Sequence, residues 1–230
     1  MLIHLTLLKA CIMLMLLRFS FCLLLLPSFQ DADSKRVEKY EKDIVAIEKR
    51  LKEKPPSTEA VFFTGSSTIR RWNLAENFPG MPYENCGFGG SQTRDVVHFA
   101  PRILLPYKPK TIVFYSGDND INAKRTPEQV AEDFKAFVNF IHKDNPKTKI
   151  ILLGIKHSAS RDKQMADQKK ANSLLESYCK TNPQLTFVDI APLFLESSGQ
   201  YKADCFADDK LHLSPKAYEV LAEKIKPLLK

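Results

Sequence analysis

No dense block of lysine and arginine with interleaved aromatics occurs in this 230-residue chain, although its formal net charge is +7. Residues 1–30 supply Lys9 and Arg18 to that excess and no acid, which leaves the remainder at +5. Such a surface is mildly basic and solvated, and no nucleic-acid partner is expected. There is no C-x-x-C. Apart from Cys11 and Cys22 near the amino terminus, the cysteines are Cys86, Cys179 and Cys205. An odd, scattered set argues against a zinc knuckle or a redox pair. The three read as buried thiols acting as small apolar groups, with one oxidised pair as the alternative if the protein is exported. Gly87-x-Gly89 is followed by Gln92 where a dinucleotide fingerprint needs its third glycine. The Gly-x-Ser-x-Gly elbow is missing, which disfavours a standard α/β-hydrolase. Asp118, Asp120, Asp208 and Asp209 match no ligand spacing, so no metal is expected. No internal repeat, low-complexity tract or second core divides the chain.

An uninterrupted apolar run of the ~20 residues a membrane span needs is also absent. Leu2 to Phe29 is rich in Leu, Met, Phe and Cys, but Lys9 and Arg18 break it. Residues 1–32 are expected to form a signal peptide. Met15-Leu16-Leu17-Arg18 supplies a basic start, Phe19 to Leu26 an apolar centre, and Pro27 to Ser34 the cleavage region. No Ala-x-Ala marks the cut, and an uncleaved anchor is the alternative. Translation from Met13 or Met15 is open as well. Cys11 and Cys22 lack the small-residue pattern of a lipidated cysteine. The expected location is therefore exported, periplasmic or secreted, with membrane contact only through this segment if it stays uncleaved.

Residues 33–230 are expected to form one domain. In Asp33 to Lys54 the spacing of Val37, Tyr40, Ile44, Ile47 and Leu51 is 3, 4, 3, 4, one apolar stripe of a helix closed by Pro55-Pro56. Strands are expected at Ala60–Thr64, Tyr83–Cys86, Thr111–Tyr115, Lys149–Ile155 and Leu185–Ile190. Asn73 to Pro82 reads as a loop with a Pro79-Gly80 turn. Helices fall between the strands. One spans Thr93–Leu105 with Val96, Val97, Ala100, Ile103 and Leu104 inward. A second opens at Thr126-Pro127-Glu128-Gln129 as a capping box and turns Val130, Phe134, Phe137, Val138 and Ile141 inward. A polar helix covers Arg161–Thr181. The last starts at Ser214-Pro215, with Tyr218, Leu221, Ile225 and Leu228 inward. Five strands alternating with helices imply a parallel sheet covered on both faces.

Polar residues crowd the strand-to-helix junctions, which share one rim of such a sheet. Val61-Phe62-Phe63-Thr64-Gly65-Ser66-Ser67 delivers a serine to a helix start. It can be a nucleophile with its own N–H facing an oxyanion, or a plain N-cap. On this stretch alone the cap is the simpler reading. Gly89-Gly90, Asn119-Asp120 and Lys156-His157 occupy three further junctions, and each alone can be an ordinary turn. Asp209 and His212, three apart, can share a turn. The carboxylate then orients one ring nitrogen while the other takes a proton from serine. His98 and His142 read as lone surface histidines. His157, followed by Arg161, could touch substrate or compete as base.

Four ordered blocks resemble the SGNH (GDSL-like) hydrolase family over Ala60 to Tyr218. Gly65-Ser66-Ser67 is similar to its nucleophile block, Asn85-Cys86-Gly87-Phe88-Gly89-Gly90-Ser91 to its second, Gly117-Asp118-Asn119-Asp120 to Gly-x-Asn-Asp, and Asp209-Lys210-Leu211-His212 to Asp-x-x-His. The family's Asp before the nucleophile is Ser66 here. Lys216-Ala217 stand where a glycine often follows the last block. The resemblance implies a three-layer α/β/α, flavodoxin-like domain with a five-stranded parallel sheet. It implies a serine esterase with no cofactor, acting on a small-molecule or glycan ester. Ser67 is then nucleophile, His212 base and acid, and Asp209 its orienter. The oxyanion hole is Ser67, Gly90 and Asn119, and Ser66, His157 and Arg161 are possible substrate contacts. No long apolar insertion resembles a lid, which points to short acyl or O-acetyl groups. A non-catalytic glycan- or ligand-binding protein on the same fold is the alternative.

Overall fold

The computed structural model describes residues 35–229. These divide into a segment ending at Lys42 and a compact unit from Asp43 onward. The proposed leader, residues 1–32, lies outside the described residues. The helix expected over 33–54 is interrupted. Residues 35–38 are helical, a turn follows at Lys39–Tyr40, and α1 runs Glu41–Glu53. The turn closes when the Tyr40 N–H donates to the Val37 carbonyl at 2.9 Å. A 3, 4, 3, 4 spacing survives such a break, so the periodicity gave no sign of it. Within the unit, α1 buries Ile44, Ile47 and Leu51.

Then come β1 (Val61–Gly65), α2 (Ser67–Arg70), α3 (Leu74–Asn77), β2 (Tyr83–Gly87), α4 (Thr93–Ile103) and β3 (Thr111–Tyr115). After β3 lie α5 (Asp118–Asn122), α6 (Pro127–Asp144), β4 (Lys149–Leu153), α7 (Met165–Cys179), β5 (Leu185–Val188) and α8 (Pro215–Ile225). The five strands are parallel, in the order β2-β1-β3-β4-β5. This is the doubly wound order in which the chain reverses direction across β1, and the crevice between β1 and β3 is where such sheets place a site.

Alternation along each strand sorts the core into two layers. Phe63, Val113, Tyr115 and Ile151 face one way and meet Leu221 and Ile225 of α8. Trp72 and Phe78, after β1, pack against Phe63, edge-to-face at 5.6 Å and tilted at 5.3 Å between ring centres. On the opposite face Phe114 meets Phe134 and Phe137 of α6 at 5.5 and 4.4 Å. Each such ring contributes roughly 1.5–3 kcal/mol by leaving water. Helix α6 starts where expected: Gln129 N–H donates to Thr126 Oγ1 at 3.2 Å, and Thr126 N–H donates to Gln129 Oε1 at 2.9 Å.

Several expectations need correction. Short α3 lies inside the expected loop 73–82, held by the Asn73 cap and by burial of Leu74. Val97 is only half-buried, and Phe99 fills the core position beside Val96. Residues 159–164 form a separate 3₁₀ stretch, so the polar helix begins at Met165. Leu228 sits in a terminal 3₁₀ turn and is 38% exposed, because the turn rotates it off the α8 stripe. Cys86, Cys179 and Cys205 are all free and buried.

Candidate active site

Gly65 ends β1 at φ +134°, and a Cβ there would fall 1.8 Å from the Tyr115 carbonyl oxygen of β3. Only glycine permits that approach. It lets the Ser66 N–H donate to the same carbonyl at 3.0 Å. The chain then turns directly into α2. Ser66 holds the N-cap position but makes no side-chain cap, and it is buried behind the site. Ser67 is the first residue of the helix rather than its cap. Its hydroxyl lies 3.1 Å from His212 Nε2.

His212 reaches that hydroxyl from the loop between β5 and α8, 145 positions along the chain. A short antiparallel bridge between Phe206 and Leu213 and an Ala207 N–H to His212 carbonyl bond of 2.9 Å hold the loop. Asp209 faces the other ring nitrogen, with Nδ1 to Oδ2 at 2.5 Å. Its second oxygen accepts the His212 and Leu211 N–H groups at 2.9 and 3.0 Å. The hydrogen bond to the imidazole, then these two amides, hold the Asp209 carboxyl well below the usual carboxylate range. The carboxylate is therefore ionised over the working pH range, although its side chain is 46% exposed. Its hold on the ring is thus geometric more than Coulombic, since water screens an exposed pair.

The loop after β2 brings Gly90 to the same rim, in left-handed backbone at φ +76°. The loop after β3 brings Asn119. One hydrogen of the Asn119 amide goes to the Ser91 carbonyl at 3.0 Å. A carboxamide carries two donors, so this bond fixes the plane and leaves the second hydrogen for the cavity. Asp120 ties the two loops together, accepting the Thr93 N–H at 2.9 Å and the Gly117 N–H at 3.2 Å. Burial pushes its carboxyl up to about 6 despite those donors.

Ser67, Gly90, Asn119 and His212 share one cavity of about 570 Å³. Its other charged walls are Arg70, Arg71, Asp118 and Lys156. In the sequence Lys156 stands out only as a polar junction residue and Asp118 only as an unsupported metal ligand, and neither arginine has an assigned role. Lys156 is buried and its ammonium lies 3.1 Å from Asp118 Oδ2. Burial alone would lower its pKa, but Asp118 and then the Tyr115 hydroxyl more than offset that and hold it above the ordinary lysine value.

The remaining candidates lie elsewhere. His157 lines a different cavity of about 580 Å³ with Lys169, Phe187 and Asp189. Among the described residues neither of its ring nitrogens has a hydrogen-bond partner. Burial, reinforced by Lys169 and opposed by Asp189, holds its pKa below the ordinary histidine value. Arg161 is engaged by Asn122 and approaches Asp118 at 3.8 Å. The aspartates considered for a metal are dispersed: Asp118 to Lys156, Asp120 to backbone amides, Asp209 to His212. Among the described residues no group of three or more His, Cys, Asp or Glu could hold a metal ion. Among them, too, no helix is long and apolar enough to cross a membrane.

The described geometry has counterparts. Residues 57–220 match the model of the GDSL-like Lipase/Acylhydrolase family. The alpha2 subunit of platelet-activating factor acetylhydrolase IB from Rattus norvegicus is 30% identical over 185 residues, 77% of this chain and 78% of that one. A solved Streptococcus pneumoniae structure whose name refers to platelet activating factor superposes with a TM-score of 0.74 at 23% identity, covering 86% of this chain and 96% of that one. An acetyl-xylooligosaccharide esterase from a Geobacillus superposes with a TM-score of 0.60 at 17% identity, over 76% and 96% of the two chains. At such identities these two likenesses speak for the fold, whereas the family-model match spans most of the chain. The chain belongs to the GDSL-like lipase/acylhydrolase family and is a carboxylic ester hydrolase.

Proposed function

We propose that this protein hydrolyses esters of short acyl groups, acetyl above all, by a Ser67–His212–Asp209 triad. The observation that carries the proposal is the unbroken line from Asp209 Oδ2 through the imidazole to Ser67 Oγ, at 2.5 and 3.1 Å. Ser67 Oγ attacks the acyl carbon while His212 Nε2 takes its proton. The carbonyl oxygen becomes an oxyanion between the Ser67 and Gly90 N–H groups and the Asn119 amide. His212 then gives the proton to the departing alcohol oxygen, leaving an acyl group on Ser67. A water molecule, deprotonated by the same imidazole, attacks that acyl-enzyme. The acid leaves and Ser67 recovers its proton. Asp209 keeps the ring in the tautomer that presents Nε2 as acceptor.

The acetyl preference is supported by the acetylhydrolase name of the 30%-identical relative and by the lack of a lid-like apolar insertion. A 4-nitrophenyl ester series from acetate to decanoate tests it. The acetate is expected to give the highest kcat/KM, and Ser67→Ala to abolish turnover across the series. Fastest hydrolysis of the longest chain would contradict the acyl preference. Export through residues 1–32 is proposed from the sequence alone, and amino-terminal sequencing of the mature protein checks it.

A further inference from the structure

The charges on the wall of the Ser67 cavity are not balanced. Lys156 is neutralised by Asp118. Arg70 is paired with Asp43 at 3.1 Å. Asp209 is hydrogen-bonded to the His212 ring and does not line this cavity. Arg71 remains: it lines the cavity, and among the described residues its guanidinium has no ion pair or side-chain hydrogen bond. Arg71 closes α2, its N–H donating to the Ser67 carbonyl at 3.0 Å. It therefore stands one helical turn from the nucleophile on the same face, where side chains four apart are neighbours. Arg71 is exposed at the cavity wall, and a guanidinium with free donors there attracts anions and can bind two oxygens of a carboxylate or phosphate side by side.

We propose that Arg71 is a specificity-determining residue, and that the substrate is an acyl ester whose alcohol part carries an anionic group close to the ester oxygen. The inference rests on the ester hydrolysis proposed above and adds the chemistry of the leaving alcohol. Arg71 holds the anionic oxygens while Ser67 attacks the neighbouring acyl carbon. The charge is recognised through its oxygens, so a carboxylate and a phosphate satisfy the same fork.

The test compares 4-acetoxybenzoate, an anion, with its neutral methyl ester, each rate normalised to that ester's reaction with hydroxide. The wild-type protein is expected to favour the anion in normalised kcat/KM by about tenfold, the scale of one charge-assisted hydrogen bond. The preference should reside in KM, shrink as salt shortens the Debye length, vanish in Arg71→Gln, and persist in Arg71→Lys. A wild-type ratio near one, or a ratio unchanged in Arg71→Gln, overturns the inference and leaves the esterase reading standing. Absence of Ser67-dependent turnover of both esters takes down both. Repeating the pair with 4-acetoxyphenyl phosphate in place of the benzoate shows whether the fork prefers the carboxylate or the phosphate.

Discussion

Lys156 and His157 are consecutive in sequence, yet they serve two cavities of nearly equal size, about 570 and 580 Å³. Both stand in the loop beyond β4, which ends at Leu153, and that loop carries them to different cavities. Lys156 turns toward Ser67 and Asn119 and finds Asp118 at 3.1 Å. His157 turns toward Lys169 and Asp189, and among the described residues neither ring nitrogen has a hydrogen-bond partner. A cavity of suitable volume lined by a histidine is thus not sufficient for this chemistry. The Ser67 cavity differs because it lies where the chain reverses across β1, so the exits of β1, β2 and β3 and the loop before α8 all converge there.

Three substitutions probe that difference. The largest effect is expected from Lys156→Met, which removes the buried ammonium beside Asp118 and leaves that carboxylate with the more distant Arg161 at 3.8 Å. Unfolding free energy should fall by about 3–5 kcal/mol, seen as a lower urea midpoint. Next is Asn119→Ala, which removes the proposed oxyanion donor on the loop after β3. kcat should drop by about 10²–10³ with KM little changed. The smallest is His157→Phe on the other side of β4, which should leave kcat/KM for 4-nitrophenyl acetate unchanged. Its signature lies in the pH dependence of stability. The folded pKa of His157 is depressed, so its contribution is present above the ordinary value of about 6.5 and is lost as pH falls through the folded value. The wild-type melting temperature should therefore fall more steeply than that of His157→Phe on going from about pH 7 to pH 5. Equal slopes would mean that His157 is not held neutral by its surroundings.

Most of the fold was legible because β1, β3 and β4 are short apolar runs stopped by Gly or Ser, and because Thr126-Pro127 and Ser214-Pro215 announce their helices. What escaped notice was local. The turn at Lys39–Tyr40 leaves the spacing of the apolar residues in the sequence intact, and in α4 Phe99 rather than Val97 is buried. For the site, Ser67, Gly90, Asn119, Asp209 and His212 were nameable because each sits in a short polar block at a junction. Lys156 and His157 could not be sorted, since both stand in the loop after β4, whose path decides which cavity each meets. Arg71 was hidden for a different reason. An arginine at the end of a four-residue helix reads as a solvated charge until its neighbours are known to be paired elsewhere.

Labelling with a fluorophosphonate tests the central claim that Ser67, activated by His212, is the nucleophile. A single adduct is expected, mapped by peptide mass spectrometry to Ser67. It should be absent in Ser67→Ala and strongly slowed in His212→Ala. An adduct on Ser66, or ester turnover that survives in Ser67→Ala, would contradict the account.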